Sequence, residues 1–194
     1  MASRIALVVV IGLLAGCQTV ETHHDSDPQA PFASYKTFAW MTEEPLIQPG
    51  VGSATGARPP DPLLDPIIRD SVEKNLRAKG YEQLRDPKAA DLVVSFSVGA
   101  RDRIEVDSYP VSAGYRYRVY GAYQTDVRQY TEGVLALDFF DGKTKRAVWH
   151  GYGTKRLSQS SPTPEKRRAN VDQATQAILA EFPSRTGAGP AQTD

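Results

Sequence analysis

Cysteine is nearly absent: the 194 residues hold one, Cys17, which excludes an internal disulfide. No single sign of charge dominates, because 23 Lys+Arg balance 23 Asp+Glu, and the broad basic footprint of a nucleic-acid binder is therefore missing. Histidine is scarce, at three residues, and no transition-metal ligand spacing is visible, so neither a metal nor another cofactor is expected. Long apolar runs are lacking as well. The run Ile5 to Leu14 falls well short of the roughly 20 residues that cross a bilayer. What remains is an ordinary globular composition, 40% hydrophobic and 24% charged, which suits one domain with tails.

Arg4, the apolar run and the small residues Ala15 and Gly16 follow the grammar of an export signal over residues 1–16. Leu14-Ala15-Gly16-Cys17 resembles the bacterial lipobox, which implies cleavage before Cys17 and acylation of its thiol and new amino terminus. Several acyl chains hold a protein on a membrane far more firmly than one, at about 0.8 kcal/mol per buried CH₂. Gln18, where lipoproteins retained at the inner membrane carry Asp, points to outer-membrane sorting with the domain facing the periplasm. Residues 17–33 are polar, contain Pro28 and Pro31, and lack an apolar period. They read as a flexible tether in which His23 and His24 are solvated.

The folded domain is expected over residues 34–184, with a loose tail at 185–194. Tyr35 to Trp40 reads as a first strand, and residues 46–62 as a loop too rich in proline and glycine for any element interior. Asp65 as N-cap and Pro66 at the first helical position open a helix whose stripe is Ile68, Val72 and Leu76, with Gly80 closing it in a Schellman ending. Glu82 to Leu84 can form a short strand. Leu92, Val94, Phe96 and Val98 then alternate, and Ile104 and Val106 continue the pattern. Gly133 to Phe139, the turn Asp141-Gly142 and Ala147 to His150 make a hairpin. Thr163 caps a second helix, Pro164 starts it, and Val171, Ala174, Ile178 and Phe182 form its stripe. The fold class is therefore α+β: an antiparallel sheet of five or six strands with two helices packed on one face.

These residues carry a family resemblance. The lipobox at Cys17, Tyr35 to Trp40, Lys79-Gly80-Tyr81, Ala90 to Val94, Gly133 to Asp138, Val148 to Gly151 and Phe182-Pro183 together resemble a bacterial envelope lipoprotein family, the domain of unknown function numbered 4136. The resemblance implies a periplasmic α+β domain on a lipid anchor and implies no reaction, substrate or catalytic residue.

The chain's own chemistry points to binding. Cys17 is committed to lipid, and His150 is the one histidine of the folded region, expected as a half-exposed strand residue and not a general base. Residues 107–130 hold six of the nine tyrosines. If extended, Tyr115, Tyr117 and Val119 line one side of this arm and Arg116, Arg118 and Tyr120 the other. Tyrosine and arginine are favoured at interfaces, so Tyr115, Arg116, Tyr117, Arg118, Tyr120 and Tyr123 are the candidate partner-binding residues. The partner expected is an envelope protein, peptidoglycan or lipopolysaccharide, with the membrane reached through the anchor. The alternatives are a membrane-tethered hydrolase and a purely structural envelope protein. Lys166, Arg167 and Arg168 lie in the first turn of the second helix, where the helix dipole disfavours cations, and can meet an anion or stay solvated.

Overall fold

The computed structural model of the chain describes residues 20–43, 63–110, 123–158 and 160–185. Six strands, β1 (Glu21–Ser26), β2 (Thr37–Trp40), β3 (Glu82–Gln83), β4 (Leu92–Pro110), β5 (Tyr123–Asp141) and β6 (Ala147–Arg156), form one sheet in the order β1-β6-β5-β4-β2-β3. Two helices, α1 (Leu64–Ala78) and α2 (Pro164–Ile178), accompany it. The α+β class holds, and the all-antiparallel expectation is corrected: β2 runs parallel to both β3 and β4, whereas β4, β5, β6 and β1 alternate in direction. A helical crossover returns the chain to the end it started from, so β3 follows α1 parallel to β2.

One face of the sheet is apolar by simple alternation. Leu92, Val94 and Phe96 of β4 stand opposite Asp141, Phe139 and Leu137 of β5, and Phe139 and Leu137 stand opposite Trp149 and Gly151 of β6. The helices lie side by side on this face. Ser71 of α1 and Thr175 of α2 share a buried hydrogen bond of 2.5 Å, and the Arg69 guanidinium sits 4.8 Å over Trp40 and 5.6 Å over Phe96. Ile68, Val72 and Leu76 are buried as their spacing requires. At Gly151 an added Cβ would meet the Trp149 ring at 2.1 Å, so only glycine leaves the indole its place under the helices.

Phe182, one residue beyond the 3₁₀ turn that extends α2, closes the core. It stacks on Phe139 at 4.2 Å and meets Trp149 edge-on at 5.2 Å. The α1 ending matches the Schellman expectation: Gly80 takes φ 92°, Tyr81 N–H donates to Leu76 and Gly80 N–H to Arg77. Thr163 caps α2 as expected, accepting from Lys166 N–H.

Two readings of the chain change. Residues 21–26, taken as tether, form β1, a fully paired antiparallel edge strand on β6 in which His23 stacks on Tyr152 at 5.1 Å. All six of its residues are exposed, so its hydrogen-bond ladder and not an apolar stripe makes it a strand. Asp65 is not the N-cap: α1 begins at Leu64 behind Leu63, and the Asp65 carboxylate turns inward to accept from Arg69 Nε at 2.8 Å. Pro66 is tolerated one turn in because the first four helical N–H groups have no intrahelical partner to lose.

The β5–β6 turn is held by Asp141, whose carboxylate accepts from Thr144 N–H, Lys143 N–H and the Tyr35 hydroxyl at 2.6, 2.9 and 2.8 Å. The Thr144 amide above all, helped by Tyr35, draws this carboxyl down to about 2 from an ordinary 3.8, against the opposing effect of burial. A depressed folded value stabilises the fold above the ordinary one, and that contribution disappears as pH falls from near 4 towards 2. Asp141→Asn should therefore lose about 1–2 kcal/mol at pH 7, allowing for solvent screening, and nothing near pH 2. Urea denaturation across that pH range checks this; a constant difference at every pH would contradict it.

Candidate interface on the β4–β5 arm

β4 and β5 are each 19 residues long, far longer than their neighbours. β2 accompanies β4 only from Leu92 to Val94, and β6 accompanies β5 only as far as Glu132. Beyond that row residues 102–110 and 123–131 run on as a two-stranded ribbon, reaching roughly 30 Å past the sheet at 3.3 Å per residue.

The two faces of this ribbon differ in kind. On the face continuous with the uncovered side of the sheet, Glu132 accepts from Arg101 Nε at 2.6 Å and Arg103 Nε at 3.2 Å. Burial alone would raise the Glu132 carboxyl, but the two guanidinium bonds outweigh it and hold it below the ordinary value. Arg156 lies 3.6 Å over the Tyr130 ring and bonds Glu105 at 2.9 Å, and Arg128 pairs with Asp126. This ladder ties the ribbon to the end of β6. The other face is continuous with the helix-covered side. There Val106 stands directly opposite Val127 with Ile104 beside them, and the three are 58%, 61% and 67% exposed. Large apolar side chains gathered in this way on a solvent-facing ribbon make it a candidate interaction surface.

Of the binding residues read from the sequence, Tyr115, Arg116, Tyr117, Arg118 and Tyr120 lie outside the described residues, and so do Leu14, Ala15, Gly16 and Cys17. Tyr123 opens β5 opposite Pro110, so the described part of the arm is a pair of antiparallel strands. The apolar trio was missed as a surface. Its signal was the excess length of the alternating run, more than the rest of the sheet could cover.

Elsewhere, His150 Nδ1 lies 2.7 Å from Asp138 on the uncovered face, with the imidazole half exposed. Among the described residues no hydroxyl is hydrogen-bonded to His150, and no group of three His, Cys, Asp or Glu residues is placed to hold a metal ion. Glu73 is structural: it accepts from Trp40 Nε1 at 2.9 Å and Gln83 Nε2 at 2.8 Å and pairs with Arg77. A depression of about 540 Å³ is an open groove beside Arg77, Tyr81 and Arg85. Among the described residues no helix is long and apolar enough to cross a membrane.

If Glu132 fastens the ribbon, Glu132→Leu leaves two guanidinium groups uncompensated. Amide exchange across residues 101–106 and 127–131 should then quicken about tenfold while α1 and α2 keep their protection. Equal exchange in both proteins would show that the ladder does not hold the arm.

Among solved structures the chain is similar to a PelC dodecamer from Paraburkholderia phytofirmans, with TM-score 0.48 and 15% identity over 87% of this chain and 100% of that one. It is similar to a DUF4136 family protein from Bacteroides thetaiotaomicron, with TM-score 0.45 and 16% identity over 81% and 95%. A third similar structure is lipoprotein GNA1162 from Neisseria meningitidis, with TM-score 0.36 and 12% identity over 75% and 99%. No curated protein matches the chain. The family model DUF4136, a domain of unknown function, matches residues 22–184, from β1 to the segment that follows α2. The chain belongs to the DUF4136 family.

Proposed function

We propose that this chain is an outer-membrane lipoprotein, anchored through Cys17 and facing the periplasm, whose domain binds an envelope component and catalyses nothing. The observation that carries the reading is the β4–β5 ribbon, which exposes Ile104, Val106 and Val127 on one face while an ion-pair ladder stiffens the other. A ribbon so built offers apolar contact area together with cationic and aromatic groups, the mixture suited to envelope proteins, glycans and phosphorylated lipids. The lipobox at Leu14 to Cys17 supports the anchor. The rival reading, a tethered hydrolase, draws on the His150–Asp138 pair, and it needs a hydroxyl or a bound water within reach of the free imidazole nitrogen.

Photo-reactive residues placed at Ile104 and Val127 in cells should trap a specific envelope component, and the same group at Lys143, in the β5–β6 turn, should not. Palmitate labelling should vanish in Cys17→Ala. Identical cross-linking from all three positions would remove the arm as the binding element, and unlabelled native protein would remove the anchor.

A further inference from the structure

The register of the sheet puts the start of β1 near the root of the β4–β5 ribbon. Glu21, the first residue of β1, stands opposite Thr154, which stands opposite Val134, which stands opposite Gly99. β1 runs away from the arm, so its first residue, Glu21, is the β1 residue nearest the ribbon. Cys17 is four residues before Glu21, a reach of at most about 14 Å. The ribbon runs eleven residues beyond Gly99 in the same direction, about 36 Å if straight. With an acylated Cys17 at headgroup level, a ribbon of this length is within reach of the leaflet that would hold the anchor.

What the ribbon brings to that level fits a lipid surface. Ile104, Val106 and Val127 share one face about five to seven residues beyond the Gly99 row, just past the furthest reach of Cys17. Arg101 and Arg103 stand nearer the sheet on the opposite face. α2 also begins at this end, since Lys155 near the end of β6 bonds Asn170 and Gln173 in the middle of the helix while Ile178, its last residue, lies against Gly153, further from the arm. The exposed Lys166 and Arg168 are thereby at the same end, where anionic headgroups would compensate cations that the helix dipole disfavours. An apolar face, an opposite charged face and a basic cluster are the attributes of an element lying in the interface plane.

We infer that the partner of the β4–β5 arm is the phospholipid leaflet itself: the ribbon lies on the membrane through Ile104, Val106 and Val127, with the N-terminal turn of α2 turned to anionic headgroups. The inference rests on the anchored reading above and adds a second, non-covalent membrane contact that fixes the domain's orientation.

The test uses the full lipidated protein in vesicles of phosphatidylethanolamine and phosphatidylglycerol, carrying an environment-sensitive fluorophore at Val127→Cys or, as the distal control, at Lys143→Cys. With Cys17 acylated, the introduced thiol is the one free thiol in each variant. The label at 127 should shift to the blue and be quenched about fivefold more by a lipid-borne quencher than the label at 143, as expected for a group buried at the acyl boundary. Equal quenching with Cys17 shown by mass spectrometry to be acylated overturns this inference and leaves the anchor standing. Shielding at 127 that persists without vesicles and grows with protein concentration overturns it in favour of a second copy of the chain. An unmodified Cys17 overturns the anchored reading, and this inference with it.

Discussion

Six antiparallel residue pairs between β1 and β6 decide how everything else in this protein faces the world. No side chain of β1 is buried, so the strand owes its place to main-chain bonds along an open sheet edge and to the stacking of His23 on Tyr152 and His24 near Trp149. Because that ladder begins at Glu21, only residues 17–20 separate the proposed anchor from the folded domain. A 17-residue tether would have let the domain tumble freely at the end of its leash. An anchor at Cys17, as proposed, would hold the Glu21 end of the sheet within about 14 Å of the leaflet.

The opposite end is closed by the C-terminal segment. Phe182 sits among Phe32, Tyr81, Phe139 and Trp149, joining both helices, the sheet and the turn before β2 in one aromatic cluster. Its carbonyl accepts from Lys79 Nζ at 2.8 Å, the Tyr81 hydroxyl bonds Pro183, and the Arg185 amide bonds Lys79. Burial of the Tyr81 ring pushes its phenol up to about 12, so the group stays protonated and able to donate throughout the physiological range. The domain is therefore clasped at the end remote from the arm, and the ribbon is free of the core's packing demands. Stability and surface chemistry reside at opposite ends of the same sheet.

The elements legible in the sequence are those whose side chains report their environment. Ile68, Val72 and Leu76 announce α1, Asp141-Gly142 announces the β5–β6 turn, and Thr163-Pro164 announces α2. β1 was illegible because an edge strand exposed on both faces has no hydrophobic period to read. The parallel direction of β2 was illegible for a related reason: alternation records which face a residue occupies and is silent about strand direction. Asp65 shows a third limit. An acidic residue before proline suits a cap, yet a nearby Arg69 over Trp40 and Phe96 made an inward ion pair the better use of its charge. On the arm, Ile104 and Val106 repeat the pattern of Val94 and Phe96, and periodicity cannot distinguish a face that meets helices from one that meets something outside the chain.

Both borders of the sheet are poor templates for a stray strand. β3 is two residues long, and β1 presents Glu21, His23 and Asp25 on one side and His24 on the other. Lipoproteins confined to a surface meet one another far more often than the same molecules dispersed in a volume, and edge-to-edge polymerisation is the hazard of that crowding. A truncated border and a polar one would let this domain, if anchored as proposed, be concentrated in two dimensions without zipping into fibres.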